Sequence, residues 1–137
     1  MRRLLIIAAA LSLAAPAHAQ GPGQQRQPEW RQSADYDVLL RPFGYEPREL
    51  RLEAGRPVRL RFVNSGQAPL SFSAPAFFRA ATVRSGADAE SVRDGTIRLA
   101  PGERRTIVLV PALGRYRMRS ANFVQRLLGM GGRIIVE

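Results

Sequence analysis

The chain has 137 residues, a length that suits one domain, and its 21 basic and 11 acidic residues give a formal net charge of +10. Cysteine is absent, and the single histidine is His18, inside the N-terminal leader described below. Thiolate and imidazole are the groups that hold zinc and copper in proteins. The composition therefore excludes a zinc site, a thiol nucleophile and a histidine general base from the rest of the chain.

Residues 1–19 have the pattern of a secretory signal peptide. Arg2 and Arg3 precede a short apolar run, and residues 17–19 form a small-residue cleavage site. The apolar run is too short to span a bilayer comfortably, although an uncleaved anchor is the alternative. We expect cleavage before Gln20, which removes Arg2 and Arg3 and leaves a charge of +8. The mature protein is then periplasmic or secreted.

Residues 20–34 are predicted to form a flexible linker, because they are rich in Pro, Gly and Gln and show no periodicity. Trp30 is the exception. We expect it to pack on the edge of the domain, and an exposed anchor for a partner is the alternative. The predicted folded domain occupies residues 35–137.

Alternating apolar and polar residues predict a series of short strands in this domain. Tyr36, Val38 and Leu40 face inward from a first strand that ends at Pro42, and residues 43–47 are predicted to be a turn. Turns rich in Gly and Pro separate further strands, which are predicted at residues 49–53, 58–63, 70–73, 95–99 and 104–110. Val108 is predicted to face outward from the last of these strands.

Two segments between the strands have other patterns. Residues 76–83 are compatible with a short helix or with extended chain, and residues 88–94 with one helical turn capped by Asp88. The absence of any long helical pattern predicts an all-β sandwich or barrel in a single domain.

Residues 114–136 are predicted to form a strand, a loop and a closing strand. Tyr116, Met118 and Ser120 alternate with three arginines, so Ser120 is predicted to point inward and Met118 to be a core residue. This segment resembles the C-terminal metal-binding loop of cupredoxins. In that loop a Tyr-rich strand leads to a Cys, a His and a Met before a Gly and a final apolar strand.

Other segments resemble the cupredoxin family in the same order. Residues 43–55 are similar to its early strand pair with an Ala-Gly turn, residues 58–64 to the strand that ends in Asn, and residues 100–103 to its Pro-Gly turn. The resemblance covers roughly residues 35–137 and implies a Greek-key β-sandwich.

The resemblance also implies four ligand positions, of which only Met130 keeps the family's residue. Leu70 stands at the place of the first His, Ser120 at that of the Cys and Gln125 at that of the second His. A type 1 copper site needs a thiolate and two imidazoles, with a distant axial thioether. We therefore expect no metal or other cofactor, with Leu70 packed on Met130 and Ser120 hydrogen-bonded to Gln125 or the loop backbone. A modified pocket that binds another ligand is the alternative.

In cupredoxins, redox partners dock at the end that carries this loop. The candidate partner surface here combines apolar residues with a charged margin, and consists of Phe123, Val124, Leu127, Leu128, Arg119 and Arg126. The alternative is that the loop tucks its apolar residues into the end of the sandwich.

Every basic residue of the chain is arginine. Two stripes are predicted, the first formed by Arg59 and Arg61, the second by Arg115, Arg117 and Arg119 with Arg126 and Arg133 nearby. The resemblance places the two stripes on opposite sheets. That disfavours nucleic acid, whose footprint needs charge collected on one face. A solvated surface is the simplest interpretation, and binding of an anion or a membrane surface is a weaker alternative.

The acidic residues form no evident inward pair, and neither a phosphate loop nor a nucleophile elbow is present, so we do not expect an enzyme. The predicted function is an exported, non-catalytic binding or accessory domain of the cell envelope, whose partner is an envelope protein. The alternative is a copper-binding electron carrier or copper-handling protein of the cupredoxin family.

Overall fold

The computed structural model describes residues 28–137. The predicted signal peptide and the first part of the predicted linker lie outside this range. Within it, ten strands form two five-stranded sheets, and three short α-helices lie in the connections. The predicted all-β, single-domain sandwich is confirmed. No helix in this range has the length and apolar character needed to cross a membrane.

The strands and helices have the following bounds. The strands are β1 (Ala34–Arg41), β2 (Gly44–Glu46), β3 (Glu49–Leu52), β4 (Val58–Asn64), β5 (Leu70–Ser73), β6 (Thr82–Val83), β7 (Thr96–Leu99), β8 (Arg104–Val110), β9 (Gly114–Arg119) and β10 (Gly131–Val136). The helices are α1 (Pro75–Ala80), α2 (Ala87–Ser91) and α3 (Phe123–Leu127).

The first sheet has the order β2-β1-β4-β8-β6 and the second the order β3-β10-β9-β5-β7. From β2 to β9 the chain changes sheet at every connection. Sequential neighbours therefore face each other across the core, and each sheet contains a parallel pair, β1 with β4 and β3 with β10. The closing strand β10 lies between β3 and β9, at the interior of the second sheet.

The core forms where the inward side chains of the two sheets meet. Val58, Leu60 and Phe62 of β4 are buried, as their alternation predicts. The Phe62 ring lies 4.8 Å from the Phe72 ring of the opposite sheet, and Tyr45 meets Phe72 edge-on at 5.3 Å. Such tilted and edge-to-face contacts are favoured by the charge distribution of aromatic rings. They join the two sheets near the end where β4 finishes and β5 begins.

The structure corrects the prediction for Asp88. Helix α2 begins after Gly86, and Asp88 lies buried inside it rather than capping it. Its carboxylate accepts the N–H of Val108 at 3.1 Å and pairs with Arg84 at 2.8 Å. Because α2 contacts β8 in this way, Val108 is only 1% exposed, and the prediction that it faces outward was wrong.

Other segments differ in detail from the prediction. The turn at residues 43–47 contains β2, which pairs with β1 as a hairpin. The ambiguous segment at residues 76–83 divides into the end of α1 and the short strand β6. Ahead of β1, Trp30 begins a 3-10 turn and is half-buried.

Candidate functional site

The four ligand positions implied by the resemblance lie together at one end of the sandwich, which we call the site end. Leu70 begins β5, Ser120 follows β9, Gln125 lies on α3 and Met130 precedes β10. The Ser120 N–H donates to the Met130 carbonyl at 3.3 Å, and the Met130 N–H donates to the Gln125 carbonyl at 3.0 Å. Leu70 and Met130 are buried members of the same apolar core cluster.

The Ser120 hydroxyl is the centre of a hydrogen-bond network inside the site end. It donates to Gln125 Oε1 at 2.6 Å and accepts the Asn122 N–H at 3.1 Å. Since its one proton is used, the 3.0 Å contact with Ser71 Oγ requires Ser71 to be the donor. Ser71 Oγ in turn accepts the Ala121 N–H at 2.8 Å. One donated and two accepted bonds complete the bonding capacity of Ser120, which is fully buried.

The backbone behind this network is fixed by two further buried side chains. Asn64 donates to the carbonyls of Ala68 and Leu99 at 2.9 and 3.0 Å and accepts the Gly66 N–H at 2.8 Å. It therefore clamps the loop that leads into β5. The Tyr45 hydroxyl donates to the Ser71 carbonyl at 2.5 Å, and burial raises the pKa of this phenol above its usual value.

The side chains at the ligand positions do not fit copper. Leu70 has no lone pair, the Ser120 hydroxyl has its full set of hydrogen bonds, and the amide of Gln125 is a hard donor. The buried thioether of Met130 is the one soft donor, whereas a type 1 site needs a thiolate and two imidazoles. Elsewhere in residues 28–137, no three His, Cys, Asp or Glu side chains are grouped to hold a metal.

The outer surface of the site end is formed largely by α3, where the sequence pattern predicts a loop. Asn122 caps it, since its Oδ1 accepts the N–H groups of Val124 at 2.9 Å and Gln125 at 3.3 Å. The apolar residues of this segment stay exposed rather than tucked into the sandwich: Phe123 (66%), Val124 (58%), Leu127 (74%) and Leu128 (55%).

Phe43 is a further exposed apolar residue at the site end that sequence reasoning missed. It is 63% exposed, in the turn between β1 and β2. A Cβ added to Gly66 would lie 3.2 Å from Leu70 and 3.6 Å from Pro42, so this turn adjoins the loop that carries Leu70. The sequence did contain a signal for its exposure, because Phe43 lies between Pro42 and Gly44 in a predicted turn.

The two arginine stripes lie on opposite sheets, as predicted, and differ in their partners. On β4, Arg59 pairs with Asp35 at 2.9 Å and Arg61 pairs with Asp37 at 2.7 Å. On β9, Arg115, Arg117 and Arg119 are exposed and have no carboxylate within 4.0 Å among the described residues. The guanidinium of Arg126 lies 5.9 Å from the centre of the Phe123 ring, an aromatic contact rather than an ion pair.

Comparison with known proteins found no matching family model and no matching curated protein. Among solved structures, the chain is similar to a reduced auracyanin from the photosynthetic bacterium Roseiflexus castenholzii. The TM-score is 0.56 at 19% identity, over 77% of this chain and 98% of that one. It is also similar to auracyanin A, a blue copper protein from Chloroflexus aurantiacus, with a TM-score of 0.54 at 16% identity over 77% and 99% of the two chains.

A third similar structure is a multi-copper oxidase from Pseudomonas thermotolerans, with a TM-score of 0.54 at 18% identity. The match covers 77% of this chain but 29% of the oxidase, so it concerns one part of that larger protein. At these identities the likeness concerns the fold. This chain has the cupredoxin fold, built as a β-sandwich on which three of the four implied ligand residues are replaced.

Proposed function

We propose that this chain is an exported, non-catalytic binding domain that docks a partner protein through the outer surface of the site end and works without copper. The observation that carries the proposal is where the exposed apolar side chains lie. Six large apolar side chains are exposed within residues 28–137, and five of them are at this end. They are Phe43, Phe123, Val124, Leu127 and Leu128, whereas Leu113 lies in the β8–β9 turn at the opposite end.

Clustering of this kind supports an interface. Single exposed apolar residues are normal on soluble proteins, but contiguous groups mark sites of protein contact. Four of the five belong to α3 or directly follow it. Because Asn122 caps the helix and Gln125 is tied to Ser120, the surface is supported from below.

Charge complementarity defines the partner's chemistry. Arg119 and Arg126 flank the apolar group, and neither has a carboxylate partner among the described residues. An interface with an apolar centre and arginines at its rim fits a surface with an apolar patch bordered by Asp and Glu. The signal peptide predicted at residues 1–19 supports a partner in the cell envelope.

The chemistry at the ligand positions supports the copper-free, non-catalytic part of the proposal. The predicted mature chain, residues 20–137, has neither Cys nor His, so it lacks the thiolate and imidazoles of a type 1 copper site, and the blue copper of auracyanin A is not carried over to it. Addition of copper to the purified domain should therefore give no visible charge-transfer band. A stoichiometric band would overturn this part and favour the copper-carrier alternative.

The docking proposal is tested by photo-crosslinking in the native envelope. Leu127 is the position for the crosslinker, since Gln125 is hydrogen-bonded to Ser120. Leu113 is the matched control, because it is a leucine of nearly equal exposure, 73% against 74%, at the opposite end. A discrete protein trapped at Leu127 and absent at Leu113 is the expected result.

The trapped protein is then purified and its affinity measured against variants. Leu127→Ser should weaken binding at least tenfold, Arg126→Glu should weaken it further at low salt, and Leu113→Ser should leave it unchanged. Equal weakening by Leu127→Ser and Leu113→Ser would overturn the proposal. So would trapping of only a second copy of this chain, or binding that depends on lipid alone.

A further inference from the structure

A second surface feature lies beside α3, on the outer face of the second sheet. Four arginines line an open groove of about 370 Å³ between β9, the start of β10 and the segment after α3. They are Arg117, Arg119, Arg126 and Arg133, and we call this feature the arginine groove. Its volume lies near the lower end of the range for ligand pockets, roughly 300 to 1,000 Å³.

The strand register brings like charges together in this groove. Arg117 of β9 is directly opposite Arg133 of β10, and Arg119 is directly opposite Gly131. Side chains opposite each other in an antiparallel pair have Cβ atoms about 5 Å apart, and like charges there are destabilising. Arg119 lies two residues after Arg117 on the same face of β9, and it adds a further cation about 7 Å along the strand.

Very little negative charge offsets these cations. Of the four arginines, only Arg133 has a carboxylate within 4.0 Å among the described residues, Glu49 at 3.2 Å. Glu49 also pairs with Arg51, at 2.7 Å, so it is shared. The arginine groove therefore holds an excess of at least three positive charges.

Three glycines line the groove, and of these only Gly131 lies opposite one of its arginines. Gly131 has no side chain to cover Arg119. A Cβ at this position would lie 3.5 Å from the Met118 carbonyl oxygen, an ordinary van der Waals distance, so a side chain could be accommodated. At Gly132, in contrast, a Cβ would lie within 2.5 Å of both the Arg48 carbonyl and Met118, so the close approach of the chain requires glycine. Gly129, with a φ of +95°, turns the chain toward Met130 before β10 begins.

We propose that the arginine groove binds an oxyanion of the phosphate class. Guanidinium groups match phosphate with paired N–H donors, and several converging guanidinium groups suit an anion with three acceptor oxygens and a charge near −2. A single carboxylate, with one charge and two oxygens, leaves most of this excess uncompensated. The phosphate can come from a soluble molecule or from an anionic lipid headgroup, which present the same chemistry.

The arginine groove shares Arg119 and Arg126 with the candidate partner surface, whereas Arg117 and Arg133 lie outside it. The test therefore changes Arg117 and Arg133, so that this inference and the docking proposal can fail separately. The mature chain is titrated with inorganic pyrophosphate at low ionic strength. Heat of binding and the amide NMR signals of Gly129, Gly131 and Gly132 are followed. The double variant Arg117→Gln/Arg133→Gln should lose at least tenfold in affinity.

The control is Arg59→Gln/Arg61→Gln, which removes the same net charge from the outer face of the other sheet. It should bind pyrophosphate within twofold of the native chain. A second variant, Gly131→Glu, places a carboxylate opposite Arg119 at a position that accepts a side chain, and it should abolish binding while the fold is kept.

A parallel arm uses sedimentation with phosphatidylglycerol vesicles and neutral phosphatidylcholine vesicles. Saturable pyrophosphate binding that is lost in the groove variant assigns a soluble phosphate. Binding to phosphatidylglycerol alone, lost in the same variant, assigns a lipid headgroup. The inference is overturned if neither ligand binds, or if the two double variants weaken binding equally, since that would reflect net charge only.

Discussion

The interior and the outer surface of the site end differ in whether their side chains have partners within the chain. Inside, Ser120, Ser71 and Gln125 satisfy one another, and within residues 28–137 no buried side-chain nitrogen or oxygen lacks a hydrogen-bond partner. Outside, the apolar side chains of α3 face solvent, and Arg119 lacks a carboxylate partner.

This difference indicates where binding can take place. A buried polar group without a partner would point to a missing ligand, and the interior has no such group among the described residues. On the outer surface, in contrast, exposed apolar side chains and arginines without a carboxylate partner indicate that a partner or ligand can bind there. Substitutions inside should therefore act mainly on stability, and substitutions outside mainly on binding, with only small effects on stability.

The largest expected effect inside comes from Ser120→Ala. It leaves Ser71, Gln125 and the Asn122 N–H without their common partner in a buried site, at a cost of about 2 kcal/mol in the free energy of unfolding. Urea denaturation measures this cost. The control is Ser91→Ala, which removes an exposed hydrogen bond from the Ser91 hydroxyl to the Ala87 carbonyl and should cost less than about 0.5 kcal/mol. Equal costs would show that the Ser120 network adds nothing to stability.

The strands were predictable because alternation is a local pattern. Val58, Leu60 and Phe62 alternate with arginines, and β4 lies where that pattern placed it. Asp88 was misassigned because the capping rule considers only nearby residues, whereas its carboxylate serves Val108 on a strand 20 residues away. Val108 was misassigned for the same reason, since the cover that α2 provides is a tertiary feature.

The site was predictable only in part. The alternation of side chains along β9 predicted that Ser120 points inward. Its hydrogen bond with Gln125 was one of the two arrangements expected. Ser71 was not anticipated, because all four residues of β5 are buried and no alternation separates its faces. The arginine groove depends on the register that sets Arg117 against Arg133, which no single strand reveals.

A second interior prediction concerns pH. Burial raises the pKa of Tyr45 in the folded chain, so the native state keeps this proton while the unfolded state releases it above pH about 10. The stability contributed by the protonated phenol is complete below that pH and is lost as the pH rises. The free energy of unfolding should fall by about 1.4 kcal/mol per pH unit above pH 10.

Tyr45→Phe separates this effect from other alkaline changes. It removes the bond to the Ser71 carbonyl, which lowers stability by about 1 kcal/mol near pH 8, but it should make the decline above pH 10 shallower. Thermal unfolding between pH 8 and pH 11.5 provides the comparison. Parallel declines in the two proteins would contradict the assignment to Tyr45.

The smallest expected effect on stability is on the outer surface, where the charge of a single residue of β9 is reversed. Arg117→Glu replaces a like-charge pair with Arg133 by an opposite-charge pair, and should raise the free energy of unfolding by about 0.5 kcal/mol at low salt. Added salt should stabilise the native chain by screening repulsion and should remove the advantage of the variant. Asp37→Asn is the reciprocal test, since it removes the negative charge and one of the two oxygens that accept hydrogen bonds from Arg61, and it should lower stability by a similar amount. If Arg117→Glu lowers stability instead, repulsion among the arginines of β9 and β10 does not destabilise the folded chain. The electrostatic argument for an anion in the groove then fails, while the apolar surface of α3 is unaffected.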